Sequence, residues 1–177
     1  YSFRNISRTE FGCTRYPHLL AVHDTCHAGG FINHALNSPS MSAEVAPMVA
    51  SVVPTFNEEK WISRCLDSLL AQTHPSSRHI IHVVDGGSTD ETLNIVRTKM
   101  KEDARIVLID NPEKRDPHAR NLSLAAMDEE VEFVFEVNGH GWVPVDHLEK
   151  RISDLQEIES ELAKKVGGVG CLVVAAE

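Results

Sequence analysis

After residue 47 the chain alternates short apolar runs with segments of helical period, and this alternation most constrains what it can fold into. Residues 48–53, Met-Val-Ala-Ser-Val-Val, read as a buried strand that stops at Pro54 and turns through Thr55 and Asn57. The chain re-emerges at Glu58 and Glu59 as an acidic helix start that Asn57 can cap. Trp61, Ile62, Cys65, Leu66, Leu69 and Leu70 then recur at helical spacing, one apolar face running to Gln72. Residues 79–84 form a second predicted strand, ending in Asp85-Gly-Gly-Ser-Thr-Asp90. Ser88 and Glu91 fit a capping box for a helix to about Met100. Residues 105–109 read as a third strand, followed by a polar loop and a helix with Asp116 as its cap and Pro117 in its first turn. Residues 132–137 read as a fourth strand that opens into Asn138-Gly-His-Gly-Trp142. Pro144 begins a long helix on which Leu148, Ile152, Leu155, Ile158 and Leu162 step by three or four, up to Gly167-Gly168. Residues 170–175 read as a fifth strand. The expected class is α/β, a mainly parallel sheet flanked by helices and joined by right-handed crossovers.

The 177 residues suffice for one domain with a sizeable core and leave no room for two full ones. A hydrophobic content of 42% against 24% charged residues places the chain among globular rather than disordered proteins. Acidic residues outnumber basic ones, 26 to 17, and the net charge of −9 argues against a broad nucleic-acid surface. No apolar run approaches the length that spans a bilayer, and no signal-peptide pattern is visible. Cys13, Cys26, Cys65 and Cys171 are too dispersed for a disulfide scaffold; Cys65 and Cys171 sit in apolar contexts that suggest buried thiols. The expected compartment is the cytoplasm, with contact to the cytoplasmic membrane face only through a region or partner outside this chain.

Residues 1–40 lack this regular patterning but hold two of the four cysteines and several of the ten histidines. Cys13, His18, His23, Cys26, His27 and His34 offer the atoms of a zinc site, and His23 and His27 would share one helix face. No Cys-x-x-Cys knuckle accompanies them, which disfavours structural zinc. The plainer expectation is a leader, disordered or outside the natural start, because Met41-Ser-Ala-Glu44 resembles the beginning of a protein. The folded domain is then expected over residues 41–177.

Three polar clusters end predicted strands: Thr55-Phe-Asn-Glu58, Asp85-Gly-Gly-Ser88 and Asn138-Gly-His140. A parallel sheet gathers such ends along one edge, where ligands bind, and Arg120 enters from a nearby helix. The glycines are not spaced as G-x-G-x-x-G, and no G-x-x-x-x-G-K-[ST] loop exists, so neither a dinucleotide oxidoreductase nor a P-loop NTPase is supported.

Several motifs in order resemble a known family. Val53-Pro-Thr-Phe-Asn-Glu-Glu59, Cys65-Leu-Asp-Ser-Leu-Leu-Ala-Gln-Thr73, Val83-Val-Asp-Gly-Gly-Ser-Thr-Asp90, Asn111-Pro112, Ala119-Arg-Asn121 and the stretch from Asn138 to Leu148 are similar to the start of a family 2 glycosyltransferase with the GT-A fold, a Rossmann-like nucleotide-sugar fold. Gly167-Gly-Val-Gly170 fits the strand expected after the metal motif, and the resemblance runs from about Pro47 to Glu177. It implies a nucleotide-diphosphate-sugar site. Phe56 would lie against the base, Thr55 and Glu58 would hold base or ribose, and Asp85 would accept a base N–H. Gly86 would let the backbone approach the ligand, Arg120 would sit near the pyrophosphate, and Asn138 would stand at the metal motif. The residue types suit these tasks, since aromatic faces stack, carboxylates accept from imides and guanidinium pairs with phosphate. Phe56 as a core residue, Asp85 as a helix-cap neighbour and Arg120 as a surface ion-pair partner are the plain alternatives.

Two departures from the family pattern follow. The family places Asp-x-Asp or Asp-x-His after the fourth strand to hold Mg²⁺ or Mn²⁺; here Asn138 replaces the first acid and His140 alone remains as a strong ligand, so cation binding is expected to be weakened. The catalytic base and the acceptor-binding part would lie beyond Glu177, so the catalytic residue is not assigned and the chain resembles the donor-binding half. The expected function is transfer of a sugar from a nucleotide-sugar to the hydroxyl of a glycan or lipid-linked acceptor, inverting by family resemblance. The alternative is a non-catalytic nucleotide-sugar-binding or scaffold module that has lost the metal-binding acid.

Overall fold

A computed structural model describes residues 20–24 and 46–166. Five parallel strands, β1 (Leu20–Asp24), β2 (Met48–Thr55), β3 (His79–Asp85), β4 (Ile106–Asp110) and β5 (Val131–Val137), form one sheet in the order β1-β5-β2-β3-β4. Four α-helices connect them: α1 (Ile62–Leu70), α2 (Thr92–Glu102), α3 (Asp116–Ala126) and α4 (His147–Leu162). A 3₁₀ turn, Ser76–Arg78, leads into β3.

Alternation along β2 divides the core. Val49 and Val53 face one side of the sheet, where Ile62, Cys65, Leu66 and Leu69 of α1, Val96 of α2, and Leu148, Ile152 and Leu155 of α4 pack. Ala50 and Val52 face the other side, against Ala119 and Leu124 of α3. Each fully buried aliphatic side chain of this kind contributes roughly 1.5–3 kcal/mol. Because β2 is apolar on both faces, its sequence reads as a continuous run rather than a strict alternation.

The chain walks outward from β2 to β3 to β4, then returns past β2 through α3 to reach β5. The strand order reverses between β2 and β5, and a crevice opens at the carboxyl ends of strands on either side of such a reversal. All the clusters singled out from the sequence lie at that edge.

Several expected boundaries shift, the first two because the loops after β2 and β3 bind each other. Asn57 does not cap α1, which begins at Ile62; Asn57 takes a left-handed backbone, φ 54°, and its Oδ1 accepts the Thr89 N–H at 2.9 Å. Ser88 and Glu91 do not form a capping box either. The Asn57 N–H donates to Ser88 Oγ at 2.9 Å, the Glu58 N–H to Thr92 Oγ1 at 2.8 Å, and the Glu91 N–H to Glu59 Oε2 at 3.1 Å. The loops after β2 and β3 thus satisfy each other's backbone, and local capping rules do not see such pairings. Asp116 is the first residue of α3 rather than its cap, with Pro117 in the first turn as expected. The long helix starts at His147 instead of Pro144, whose carbonyl accepts the His147 N–H at 3.1 Å, and it ends at Leu162 with Ala163 left-handed. The strand read at residues 170–175 lies outside the described residues, as do the side chains of the proposed zinc set. β1 falls where the sequence reading assigns no element; its backbone pairs in register with β5, Leu20 opposite Phe133 and Asp24 opposite Val137.

Candidate functional site

A cleft of about 240 Å³ opens at the carboxyl ends of β2, β3 and β5. One wall is the end of β2 and its loop: Pro54, Thr55, Phe56 and Glu58. The opposite wall comes from Asn111 and Lys114 in the β4–α3 loop and Ala119 of α3. Val84, Gly86, Asn138 and His140 complete it.

The order within the cleft follows from backbone bonds. The Gly86 N–H donates to the Thr55 carbonyl at 2.8 Å, tying β3's loop to β2's end. The Gly139 N–H donates to the Pro54 carbonyl at 3.2 Å, laying the Asn138–His140 turn across the same end. A Cβ on Gly139 would stand 2.9 Å from Thr55 Oγ1 and 3.1 Å from Glu58 Cγ, so only glycine lets this turn sit so close. Beneath it the Cys65 thiol reaches the Asn138 carbonyl at 3.6 Å. Burial, reinforced by the Glu58 charge, pushes that thiol up to about 12, so it stays protonated and unreactive.

Six of the eight expected residues line the cleft: Thr55, Phe56, Glu58, Gly86, Asn138 and His140. Phe56 is no core residue; its ring is 53% exposed at the rim. Thr55 is buried, and its Oγ1 donates to the Val53 carbonyl at 3.3 Å. Glu58 Oε1 lies 2.8 Å from Nδ1 of His140. A carboxylate only accepts, so this contact places a proton on Nδ1 and sets the tautomer of the neutral ring.

Asp85 and Arg120 do not line the cleft. The Asp85 carboxylate turns into its own loop: Oδ2 accepts the N–H groups of Gly87 and Ser88 at 2.8 and 2.9 Å, and Oδ1 accepts the Ser88 hydroxyl at 2.5 Å. It holds the turn in which Gly87 takes φ 81°. Arg120 forms a two-pronged ion pair with Glu136 of β5, Nη2 to Oε1 at 2.6 Å and Nε to Oε2. The pair fastens α3 to the strand that leads into Asn138.

Asn111 and Lys114 are the two polar lining residues to which sequence reasoning assigned no role. Asn111 is 4% exposed; its Nδ2 donates to the Arg115 carbonyl at 3.1 Å, while its Oδ1 is buried without a hydrogen-bond partner. A buried unmet acceptor of this kind costs about 1–3 kcal/mol. Lys114 has a left-handed backbone, φ 57°, held by its N–H bond to the Asn111 carbonyl at 3.1 Å. Its ammonium stands 5.9 Å from the centre of the Phe56 ring. The available signal was position: Asn111 directly follows the end of a strand, as the three recognised clusters do.

The sequence model of Glycosyl transferase family 2 matches residues 51–164, more than half of the chain and the whole cleft. The chain belongs to glycosyl transferase family 2. It is 29% identical over 127 residues to a curated relative in Methanococcus voltae, dolichyl N-acetyl-alpha-D-glucosaminyl phosphate 3-beta-D-2,3-diacetamido-2,3-dideoxy-beta-D-glucuronosyltransferase, covering 71% of this chain and 39% of that one. The crystal structure of S. aureus TarS 1-349 in complex with UDP-GlcNAc superposes with a TM-score of 0.53 at 28% identity, over 62% of this chain and 31% of that one. The mannosyltransferase PcManGT from Pyrobaculum calidifontis, in complex with GDP-Man and Mn2+, gives a TM-score of 0.53 at 29% identity, over 60% of this chain and 32% of that one. This family 2 chain therefore has the GT-A fold and spans about a third of the length of the relatives it matches.

Proposed function

We propose that this chain is the donor-binding part of a glycosyltransferase, holding a nucleotide-diphosphate sugar in the cleft so that the sugar passes to an acceptor hydroxyl with inversion. The observation that carries this reading is the cleft itself: an exposed aromatic shelf at Phe56 faces an unmet acceptor at Asn111 and an ammonium at Lys114. A planar base on a phosphorylated sugar suits that combination of stacking, hydrogen bonding and charge. That a family structure is described in complex with UDP-GlcNAc and another with GDP-Man supports the ligand class.

Phe56 takes the base face. Thr55 stands where base or ribose would be held, Gly86 lets backbone come close to the ligand, Gly139 lets the Asn138–His140 turn lie against Thr55 and Glu58, and Glu58 fixes the His140 ring beside Asn138. In a transferase of this design an acidic base deprotonates the acceptor hydroxyl as it attacks the anomeric carbon, and the nucleoside diphosphate leaves. The residues present do not fit a resident divalent cation. Asn138 offers only a neutral amide oxygen where a hard cation prefers a carboxylate, and among the described residues no three His, Cys, Asp or Glu come together. No step is assigned to a metal.

That poor fit favours a second reading, a nucleotide-sugar-binding module without turnover. Assay of the full-length natural protein with UDP- and GDP-sugars and acceptor, beside Asn138→Asp, with and without Mn²⁺, separates the two. Turnover by the natural form establishes the transferase; turnover appearing only in Asn138→Asp with Mn²⁺ establishes the binding module. Loss of thermal protection by every nucleotide diphosphate would remove both.

A further inference from the structure

The stretch from Cys65 to Thr73 carries part of the family resemblance, yet none of these residues lines the cleft and no step above uses them. Their partners lie in residues 138–146, which join β5 to α4 and bring Asn138 and His140 to the cleft. That segment is neither helix nor strand, so its backbone groups need partners elsewhere. α1 and the two residues past its C-cap supply them.

Residues 142 to 145 are taken in turn. The Arg64 guanidinium lies 3.4 Å from the centre of the Trp142 ring. The Val143 N–H donates to Ser68 Oγ at 3.2 Å, and the Pro144 carbonyl accepts from Gln72 Nε2 at 2.7 Å. The Val145 carbonyl accepts the Thr73 N–H at 2.7 Å. Positions 64, 68 and 72 are spaced by four, so they form one stripe along the helix and its end. Gln72 makes the most bonds. It is 8% exposed, its Nε2 also donates to the Ser68 carbonyl at 2.9 Å, and its Oε1 accepts the Leu148 N–H at 3.0 Å. One amide thus ties both the loop and the first turn of α4 to α1. The other end of α1 meets the β2 wall: the Glu58 carbonyl accepts the Trp61 and Ile62 N–H groups, both at 2.9 Å, and Glu58 Oε1 lies 2.8 Å from His140 Nδ1. α1 is therefore a splint between two sides of the cleft.

We propose that Gln72, though outside the cleft, is a positioning residue for the donor site. It clamps residues 138–146 so that Asn138 and His140 stand in a fixed place against Thr55 and Glu58. It acts through Pro144 and Leu148 and touches no ligand. This rests on the reading of the cleft as a nucleotide-sugar site.

The test is titration calorimetry of the full-length natural protein with UDP, GDP, UDP-GlcNAc and GDP-mannose, beside three variants. Gln72→Met keeps an unbranched side chain of similar volume and loses every bond of the amide. Ser68→Ala frees Val143 alone of the four loop residues. Leu69→Ala opens the core beneath the same helix and leaves the stripe in place. The ligand that binds the natural protein best should bind Gln72→Met about fivefold or more weakly, and Ser68→Ala should shift in the same direction. Leu69→Ala, although less stable, should bind within about twofold of the natural protein. Without ligand, the Gly139 and Gly141 N–H groups should exchange with solvent faster in Gln72→Met than in Leu69→Ala, each measured against the amides of β3. Circular dichroism establishes folding; Ser68→Ala carries the test if Gln72→Met is unfolded, and Leu69→Val replaces the alanine form if that is. Unchanged affinity in the folded stripe variants, or equal weakening in the Leu69 control, overturns the positioning role and leaves the nucleotide site standing. Binding of none of the four by the natural protein overturns the nucleotide reading and the positioning role with it.

Discussion

Gly139 shows how little freedom single residues have at this site. A methyl group there would meet Thr55 Oγ1 at 2.9 Å and the Glu58 side chain at 3.1 Å, so the Asn138–His140 turn has to lift. Gly139→Ala should lower stability by about 1–3 kcal/mol through overpacking and weaken nucleotide binding, read by urea denaturation and calorimetry. Cys65 makes the opposite case. Burial pushes its thiol up to about 12, so in the native protein it should resist a thiol reagent at pH 8 and react once urea unfolds the chain, with peptide mapping locating the label. Residue identity was legible in the sequence where a residue serves its own segment: Phe56, Thr55, Glu58, Gly86 and Asn138 lie in the cleft because each belongs to a strand end. Asp85 and Arg120 face elsewhere because their partners, the Ser88 turn and Glu136, are fixed by the folded loop and by tertiary contact.

Between elements, the Arg120–Glu136 pair joins α3 to β5. Glu136 is 6% exposed, so Arg120→Met should cost about 3 kcal/mol by stripping a buried carboxylate of its two-pronged partner. Adding Glu136→Leu should recover most of that loss, and the denaturation midpoints of single and double variants decide it. Buried histidines set a second property of the elements. His79 at the start of β3, bonded to Ser51 at 2.8 Å, is lowered to about 3 by burial, with Arg105 and His74 adding to the effect; burial also lowers His74 and His82. A lowered histidine stays neutral in the folded state while the unfolded chain takes up protons below its ordinary value. Stability is thus full above about pH 6.5 and falls as pH drops towards the folded value. His79 alone should cost about 2 kcal/mol between pH 6.5 and 5, and His79→Leu should flatten that slope in denaturation curves. The strands and helices after residue 47 were readable because apolar period survives any loop arrangement. Helix starts were not, because Asn57 and Ser88, both good caps, are bound across two loops. β1 was missed although it is as long as β4, because it stands in a stretch without the strand–helix alternation that marks β4.

For the molecule as a whole, order and spacing of motifs marked the family, and the strand order β1-β5-β2-β3-β4 explains why they meet at one edge. About two thirds of those relatives' length has no counterpart here, so the proposal concerns the donor side only. No described helix is long and apolar enough to cross a membrane. Asn138→Asp should raise Mn²⁺ affinity, since a carboxylate beside His140 supplies the charged oxygen the natural pair lacks; Mn²⁺ paramagnetic resonance with UDP or GDP present reads this directly. The central claim is that the cleft between Phe56 and Asn111 binds a nucleoside diphosphate. Calorimetric titration of the natural protein with UDP and GDP tests it most directly: saturable one-to-one binding of at least one of them, weakened at least about tenfold in Phe56→Ala, is predicted. Absence of binding by both, or binding indifferent to Phe56, would contradict it.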